Sequence, residues 1–188
     1  NIPIRIGVNS GSISKEIVDK FGGVNADSLV ASAMEEIKIL EDMDFYDMKI
    51  SVKSSDVNTM IDAYRKLSSK VDYPLHLGVT EAGPIYQALV KSSIGIGSLL
   101  KDGIGDTIRV SITGDPVEEV KAAKTILKSL NLRRDGLDIV SCPTCSRTTV
   151  DLQRIVAEVE EKAQGLNIDA KVAIMGCPVN GPGESKEA

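Results

Sequence analysis

The residues of this chain best suited to chemistry are its three cysteines. Cys142 and Cys145 stand in Ser-Cys-Pro-Thr-Cys-Ser-Arg over residues 141–147, and Cys177 stands in Met-Gly-Cys-Pro-Val-Asn-Gly-Pro-Gly-Glu over residues 175–184. The two-residue gap lets one tight turn aim two sulfurs at one ion or cluster, and Cys177 follows a strand-like run that can return beside them. A fourth ligand is needed, and Glu184 is the best candidate. An iron-sulfur cluster is the favoured centre. Zinc stays open, although structural zinc usually takes four Cys or His ligands and the single histidine, His76, lies well back in the chain. A Cys142/Cys145 redox pair also stays open. So do plain buried thiols, which fit less well because Pro and Gly crowd all three positions, whereas inert core cysteines sit in periodic apolar segments.

These loops need a scaffold, and the 188 residues can bury one: 42% are hydrophobic and only 3% aromatic, so the core is built from Ile, Val, Leu and Ala. A net charge of -5 with no basic tract leaves no electrostatic footprint for nucleic acid or an anionic membrane. No apolar run approaches the roughly 20 residues of a spanning helix. Three cysteines cannot close into a full disulfide set, and so few for this length make a reducing cytoplasm the expected compartment.

Strand patterns at residues 2–9, 48–54, 74–81 and 107–113 alternate with amphipathic helical patterns at 27–43, 57–70, 84–100 and 117–131, with Asp56 and Asp115 as caps. That repetition predicts α/β structure with right-handed crossovers and parallel strands. Within the strands, Ile4, Ile6 and Val8 alternate with Arg5, Gly7 and Asn9; Ile50 and Val52 alternate with Lys49, Ser51 and Lys53. Leu75, Leu77 and Val79 alternate with His76, Gly78 and Thr80, and Ile108, Val110 and Ile112 with Arg109, Ser111 and Thr113. One face is aliphatic and the other small or polar, unlike the two apolar faces of an open doubly wound sheet. It fits the lumen and mouth of a TIM (β/α)8 barrel. Four strands are half of such a barrel, and the chain opens at Asn1 without an initiator Met, so it reads as an internal piece of a longer protein. After a polar hinge at 132–136 come a strand at 137–141, a helix at about 150–165 and a strand at 170–175. The expected division is 1–134, the second half of a barrel, and 135–188, a partial cluster domain. The expected form is a four-stranded parallel half-barrel, backed by helices, its open edges covered by another copy or a displaced segment.

The two cysteine motifs, with Arg-Ile-Gly-Val-Asn-Ser-Gly-Ser-Ile from residue 5 and His-Leu-Gly-Val-Thr-Glu-Ala-Gly from residue 76, closely resemble the 4-hydroxy-3-methylbut-2-enyl diphosphate synthase family. That is the iron-sulfur enzyme of the non-mevalonate isoprenoid pathway. The resemblance implies a TIM barrel for the substrate and a small ferredoxin-sulfite reductase-like domain for a 4Fe-4S cluster held by Cys142, Cys145, Cys177 and Glu184. Ser146 and Pro178 depart from residues common at those positions and remove no ligand. The implied reaction opens the cyclic diphosphate of 2-C-methyl-D-erythritol and expels a hydroxyl, a two-electron process that side chains alone cannot drive. Flavodoxin or ferredoxin is the implied donor and a homodimer the implied assembly. Glu184, as an oxygen ligand among thiolates, is the exchangeable one and is expected to serve in catalysis as well as ligation. Asn180, Gly181 and Gly183 are expected to shape the turn that returns it to Cys177.

A compact dianion demands fixed cations in a cleft. Arg5, Lys53 and Arg109 close three polar strand faces, and Asn9 and Ser111 add neutral donors, giving the expected substrate-binding set. Glu81, at the mouth end of its strand, is the expected proton carrier or orienter of a substrate hydroxyl. The alternative for these charges is an ion pair of Glu81 with Lys53 or Arg109. His76 reads as a satisfied lumen residue rather than a ligand. Two other functions compete: a phosphate-binding barrel enzyme with a structural zinc site, and an electron-transfer module, for which cationic strand ends have no use.

Overall fold

The computed structural model describes residues 2–134, 136–163, 166, 168–179 and 181–187; Asn1, Asp135, Gly165 and Asn180, named above, lie outside them. The chain divides into two compact units, Asn1–Leu132 and Arg133–Ala188.

In the first unit β1 (Ile4–Asn9) pairs in parallel with β2 (Met48–Lys53), Ile4 opposite Met48 through to Asn9 opposite Lys53. Between them run α1 (Lys15–Phe21) and α2 (Ala26–Glu41). The first of these was not anticipated, yet its signals are in the sequence. Ser14 Oγ accepts from Ile17 N, and Gly22 ends the helix at a φ of 67°, a conformation glycine adopts without strain. The helix α2 opens with a capping box in which Asn25 and Ser28 satisfy each other's backbone N–H groups. Then follow α3 (Val57–Ser68), β3 (His76–Leu77), α4 (Ile85–Lys101), β4 (Thr107–Ile108) and α5 (Pro116–Ser129). Asp56 and Asp115 cap α3 and α5 as the sequence indicates, accepting from Thr59 N and Val117 N.

The two later strands are far shorter than the eight-residue and seven-residue runs at 74–81 and 107–113, and the four strands do not form one continuous ladder. They make two parallel pairs, β1 with β2 and β3 with β4, joined by a single bridge between Ile50 and Leu75. Between β2 and β3 a side chain takes a ladder position. The Tyr64 hydroxyl, from α3, accepts from Val52 N and donates to His76 O, where these two backbone groups would otherwise bond each other. Farther along, Glu119 Oε1 accepts from Ile112 N, so the segment after β4 is held by a helix side chain. Backbone pairing nevertheless continues beyond the regular strands, with Thr80 N donating to Ser54 O and Thr113 N to Gly83 O.

The aliphatic strand face and the helices enclose one core, in which Val8, Ile50, Val52 and Leu77 meet Leu29, Ile37, Met60, Tyr64, Leu67, Ile96 and Leu99, all buried. The other face is open along β1, where Arg5, Gly7 and Asn9 are exposed, but closes over β2, whose Ser51 and Lys53 are buried.

The second unit holds β5 (Leu137–Ser141) and β6 (Ala170–Ile174), parallel neighbours joined through α6 (Leu152–Ala163). The segment expected as a tight turn is one helical turn, α7 (Gly181–Glu184), followed by a 3-10 turn over Ser185–Glu187. Among the described residues no helix is long and apolar enough to cross a membrane.

Candidate functional site

Lys53 and the backbone of Arg109 meet at a glycine. A Cβ on Gly78 would lie 2.8 Å from Arg109 O, 3.3 Å from Lys53 Cε and 3.7 Å from Lys53 Nζ, so the lysine stem runs across the bare glycine backbone beside the Arg109 carbonyl. Lys53 is only 5% exposed, and burial, then the charges of Arg5 and Arg109, push its ammonium down to about 8, with Glu119 opposing them. Arg5, which lies opposite Lys49 on β2, and Asn9, which lies opposite Lys53, are exposed. Arg109 is exposed and Ser111 half-buried on the segment leaving β4. A buried ammonium at the end of β2, under the like charges of Arg5 and Arg109, raises the free energy of the empty site and favours an anion that neutralises it.

His76 has a partner, its Nδ1 lying 2.7 Å from Thr107 Oγ1. Burial, followed by Lys53, Lys49, Arg5 and Arg109, drives it down to about 4, so it is neutral at physiological pH. Glu81 is exposed at the end of the extended run that continues β3 and is held at a φ of 51°. The ion pairs among the described residues run elsewhere on the surface and in the second unit, and none joins Glu81 to Lys53 or Arg109.

In the second unit Cys142, Cys145, Cys177 and Glu184 all line one cavity of about 360 Å3, with Arg147, Thr148, Met175 and Gly176. The turns that follow β5 and β6 are laced together: Cys142 N donates to Ile174 O, Gly176 N to Cys142 Sγ at 3.4 Å and Thr149 N to Gly176 O at 3.0 Å. Thr148 Oγ1 accepts from Cys145 N at 3.2 Å, and Gly181 N donates to Cys177 O at 3.2 Å, starting α7 beside the third cysteine. None of the cysteines is in a disulfide. Among the described residues no three His, Cys, Asp or Glu side chains converge tightly enough for a single ion. A tetrahedral zinc requires sulfurs within about 3.8 Å of one another, whereas a multi-iron cluster spaces its ligands around a cage. Three thiols and a carboxylate about one cavity, with a backbone N–H aimed at the Cys142 sulfur, match in kind the donors that a cluster would take.

Comparison with known proteins bears on both units. Residues 1–124 match the GcpE TIM-barrel domain and residues 138–188 the GcpE protein C-terminal domain. The chain belongs to the GcpE family. It is 60% identical over 187 residues to a Clostridium tetani protein and 61% identical over 188 residues to one from Fusobacterium nucleatum, in both cases over 100% of this chain. A Corynebacterium diphtheriae protein is 55% identical over 187 residues. All three carry the name 4-hydroxy-3-methylbut-2-en-1-yl diphosphate synthase (flavodoxin), and the chain spans 54%, 53% and 48% of their respective lengths, about half.

In this GcpE chain Asn9 faces Lys53 at the ends of β1 and β2, and the Arg109 carbonyl lies beside the Lys53 stem. Arg5 stands at the start of β1 within electrostatic reach of Lys53, and Ser111 is half-buried two residues after Arg109, while the four sulfur and carboxylate groups line one cavity of the second unit. Several supporting residues escaped the sequence reading. Gly78 carried a usable signal, a lone glycine inside a strand pattern, which marks close approach. Tyr64, Glu119, Thr148 and Gly176 carried none, because their importance lies in contacts between segments distant in sequence.

Proposed function

We propose that this chain supplies the anion-binding strand ends and the cluster ligands of a 4-hydroxy-3-methylbut-2-enyl diphosphate synthase, which converts 2-C-methyl-D-erythritol 2,4-cyclodiphosphate by reductive ring opening with loss of a hydroxyl. The observation that carries the reading is the gathering of Cys142, Cys145, Cys177 and Glu184 about one cavity. Residues 1–134 are the second half of the TIM barrel and residues 135–188 part of the cluster domain. A 4Fe-4S cluster, when bound, supplies the electrons and a Lewis-acidic iron that the side chains lack. The donor is flavodoxin, as in the relatives' names, and the assembly is a homodimer.

The side chains bind and orient. Arg5 and Arg109 grip diphosphate oxygens through paired N–H groups, and Lys53 offers a point charge whose ammonium is stabilised once the anion arrives. Asn9 and Ser111 donate to the remaining oxygens. Glu81 accepts from a substrate hydroxyl and carries the proton that turns departing hydroxide into water. Glu184 would hold the cluster through an oxygen beside the three cysteine sulfurs.

The test is anaerobic reconstitution of the complete protein, with iron and sulfide expected at about four each per chain and broad absorbance near about 400 nm. Serine at Cys142, Cys145 or Cys177 abolishes the cluster, and Glu184→Gln keeps it but slows turnover. Stoichiometric zinc in protein purified without oxygen would overturn the reading.

A further inference from the structure

Tyr64 is fully buried in the core and its hydroxyl touches no part of the site assigned above. The oxygen accepts from Val52 N at 3.1 Å and donates to His76 O. With Ile50 opposite Leu75 in parallel register, Val52 N and His76 O are the natural partners of the next rung. Direct bonds flank the interruption, Ile50 N to Pro74 O at 2.8 Å before it and Thr80 N to Ser54 O at 3.2 Å after it. One direct bond of about 2.9 Å is thus replaced by two bonds through a phenol oxygen, and the strands are spread from that rung on until Thr80 meets Ser54. Burial pushes the phenol up to about 12, which keeps the hydroxyl a donor throughout the working range.

The spread rung adjoins the buried cation. Lys53 follows Val52, and Gly78, across which the Lys53 stem lies, comes just after His76 on the facing segment. We propose that Tyr64 is a positioning residue for anion binding: its hydroxyl holds β2 and β3 apart at one rung so that the Lys53 side chain lies across Gly78 with its ammonium beside Arg109. This rests on the reading of Lys53 as a phosphate ligand. Without the oxygen, Val52 N and His76 O close on each other and carry Lys53 with them, or both lose their partner.

The experiment uses the complete, cluster-loaded protein. Affinity for the cyclic diphosphate is measured by calorimetry across the pH range in which Lys53 titrates, for the wild type, Tyr64→Phe and Lys53→Ala, with thermal unfolding in parallel. The groups that face Lys53 are Arg5, His76, Arg109 and Glu119, and all are retained. Tyr64→Phe is expected to bind roughly tenfold more weakly, with the alkaline fall of affinity moved to higher pH as Lys53 regains water, and with cluster absorbance unchanged. A purely structural tyrosine gives a lower Tm with wild-type affinity and pH profile, and that result overturns the inference. If Lys53→Ala binds like the wild type, the phosphate-ligand reading fails and takes the inference with it. Should Tyr64→Phe not fold, 3,5-difluorotyrosine at position 64 keeps the shape while weakening the acceptor. Weaker binding supports the inference, and unchanged binding overturns it.

Discussion

Glu81 sits at a φ of 51°, one of three non-glycine residues with positive φ among the described residues, the others being Asp44 and Asn131. Asn and Asp tolerate this region through short side chains that bond locally, whereas Glu has no such relief and pays about 1 kcal/mol. A strained residue with no ion pair, placed at the end of the strand run that leads from Gly78, holds its side chain for something other than stability. Glu81→Asn is accordingly expected to raise unfolding free energy by about 0.5 to 1 kcal/mol while turnover falls at least about a hundredfold, checked by urea unfolding and steady-state kinetics. Lys53 shows the same tension through charge. Its folded-state value of about 8 lies below that of the unfolded chain, so the unfolded state holds more protons across that interval. The cost of the buried charge is therefore full below about pH 8 and is relieved as pH rises toward the ordinary lysine value of about 10.4. Lys53→Met should stabilise the protein by on the order of 2 kcal/mol near pH 7, and the gain should shrink through that window in urea titrations. A Lys53→Met protein no more stable than the wild type near neutrality would show the ammonium to be well solvated.

At the scale of elements, period-two alternation and helical periodicity located β1, β2 and α2 through α5 to within a few residues, because one face of each is packed on a continuous core. What periodicity could not show is which rungs of a ladder are made. The runs around His76 and Arg109 alternate like strands, yet the tyrosine from α3 and the glutamate from α5 occupy backbone positions there, and neither has a local signature. The grouping of the cysteines was legible for the opposite reason, since Pro and Gly punctuate both of their turns, and the structure brings all three to one cavity. The clasp between those turns was not. A Cβ on Gly176 would meet Thr148 Cγ2 at 2.8 Å, and Thr148 is β-branched and anchored by its bond from Cys145 N, so it cannot swing aside freely. Gly176→Ala should therefore displace the Cys142–Cys145 turn from Cys177. The expected outcome is a several-fold drop in iron retained after reconstitution, with near-native unfolding of the first unit at residues 1–132. Full iron loading in Gly176→Ala would mean that the clasp adapts.

Across the whole molecule apolar burial is lopsided. The described residues of the first unit bury Leu, Ile, Val, Met and Ala side chains from α1 to α5 and from β1, β2 and β3, whereas in the second unit Leu152, 2% exposed, is the only buried apolar side chain among the described residues. Val140, Val150, Leu166, Ile168 and Val179 there are exposed. A unit of that size with so small a core rarely reaches about 3 kcal/mol by itself, and small domains of this kind are usually stapled by metals or disulfides. None of its cysteines is in a disulfide, and under the proposed function a centre bound by Cys142, Cys145, Cys177 and Glu184 would be the staple, so that loading it and ordering the unit would be one thermodynamic event. Hydrogen exchange followed by mass spectrometry on the complete protein should then show β5, α6 and β6 exchanging with protection below roughly a hundredfold when iron is withheld, while α3 and β2 stay slow. Anaerobic loading should raise protection throughout the second unit and leave the first nearly unchanged. Equal protection of β5 and β6 with and without iron would show that this unit holds itself together by means its sparse apolar burial does not reveal.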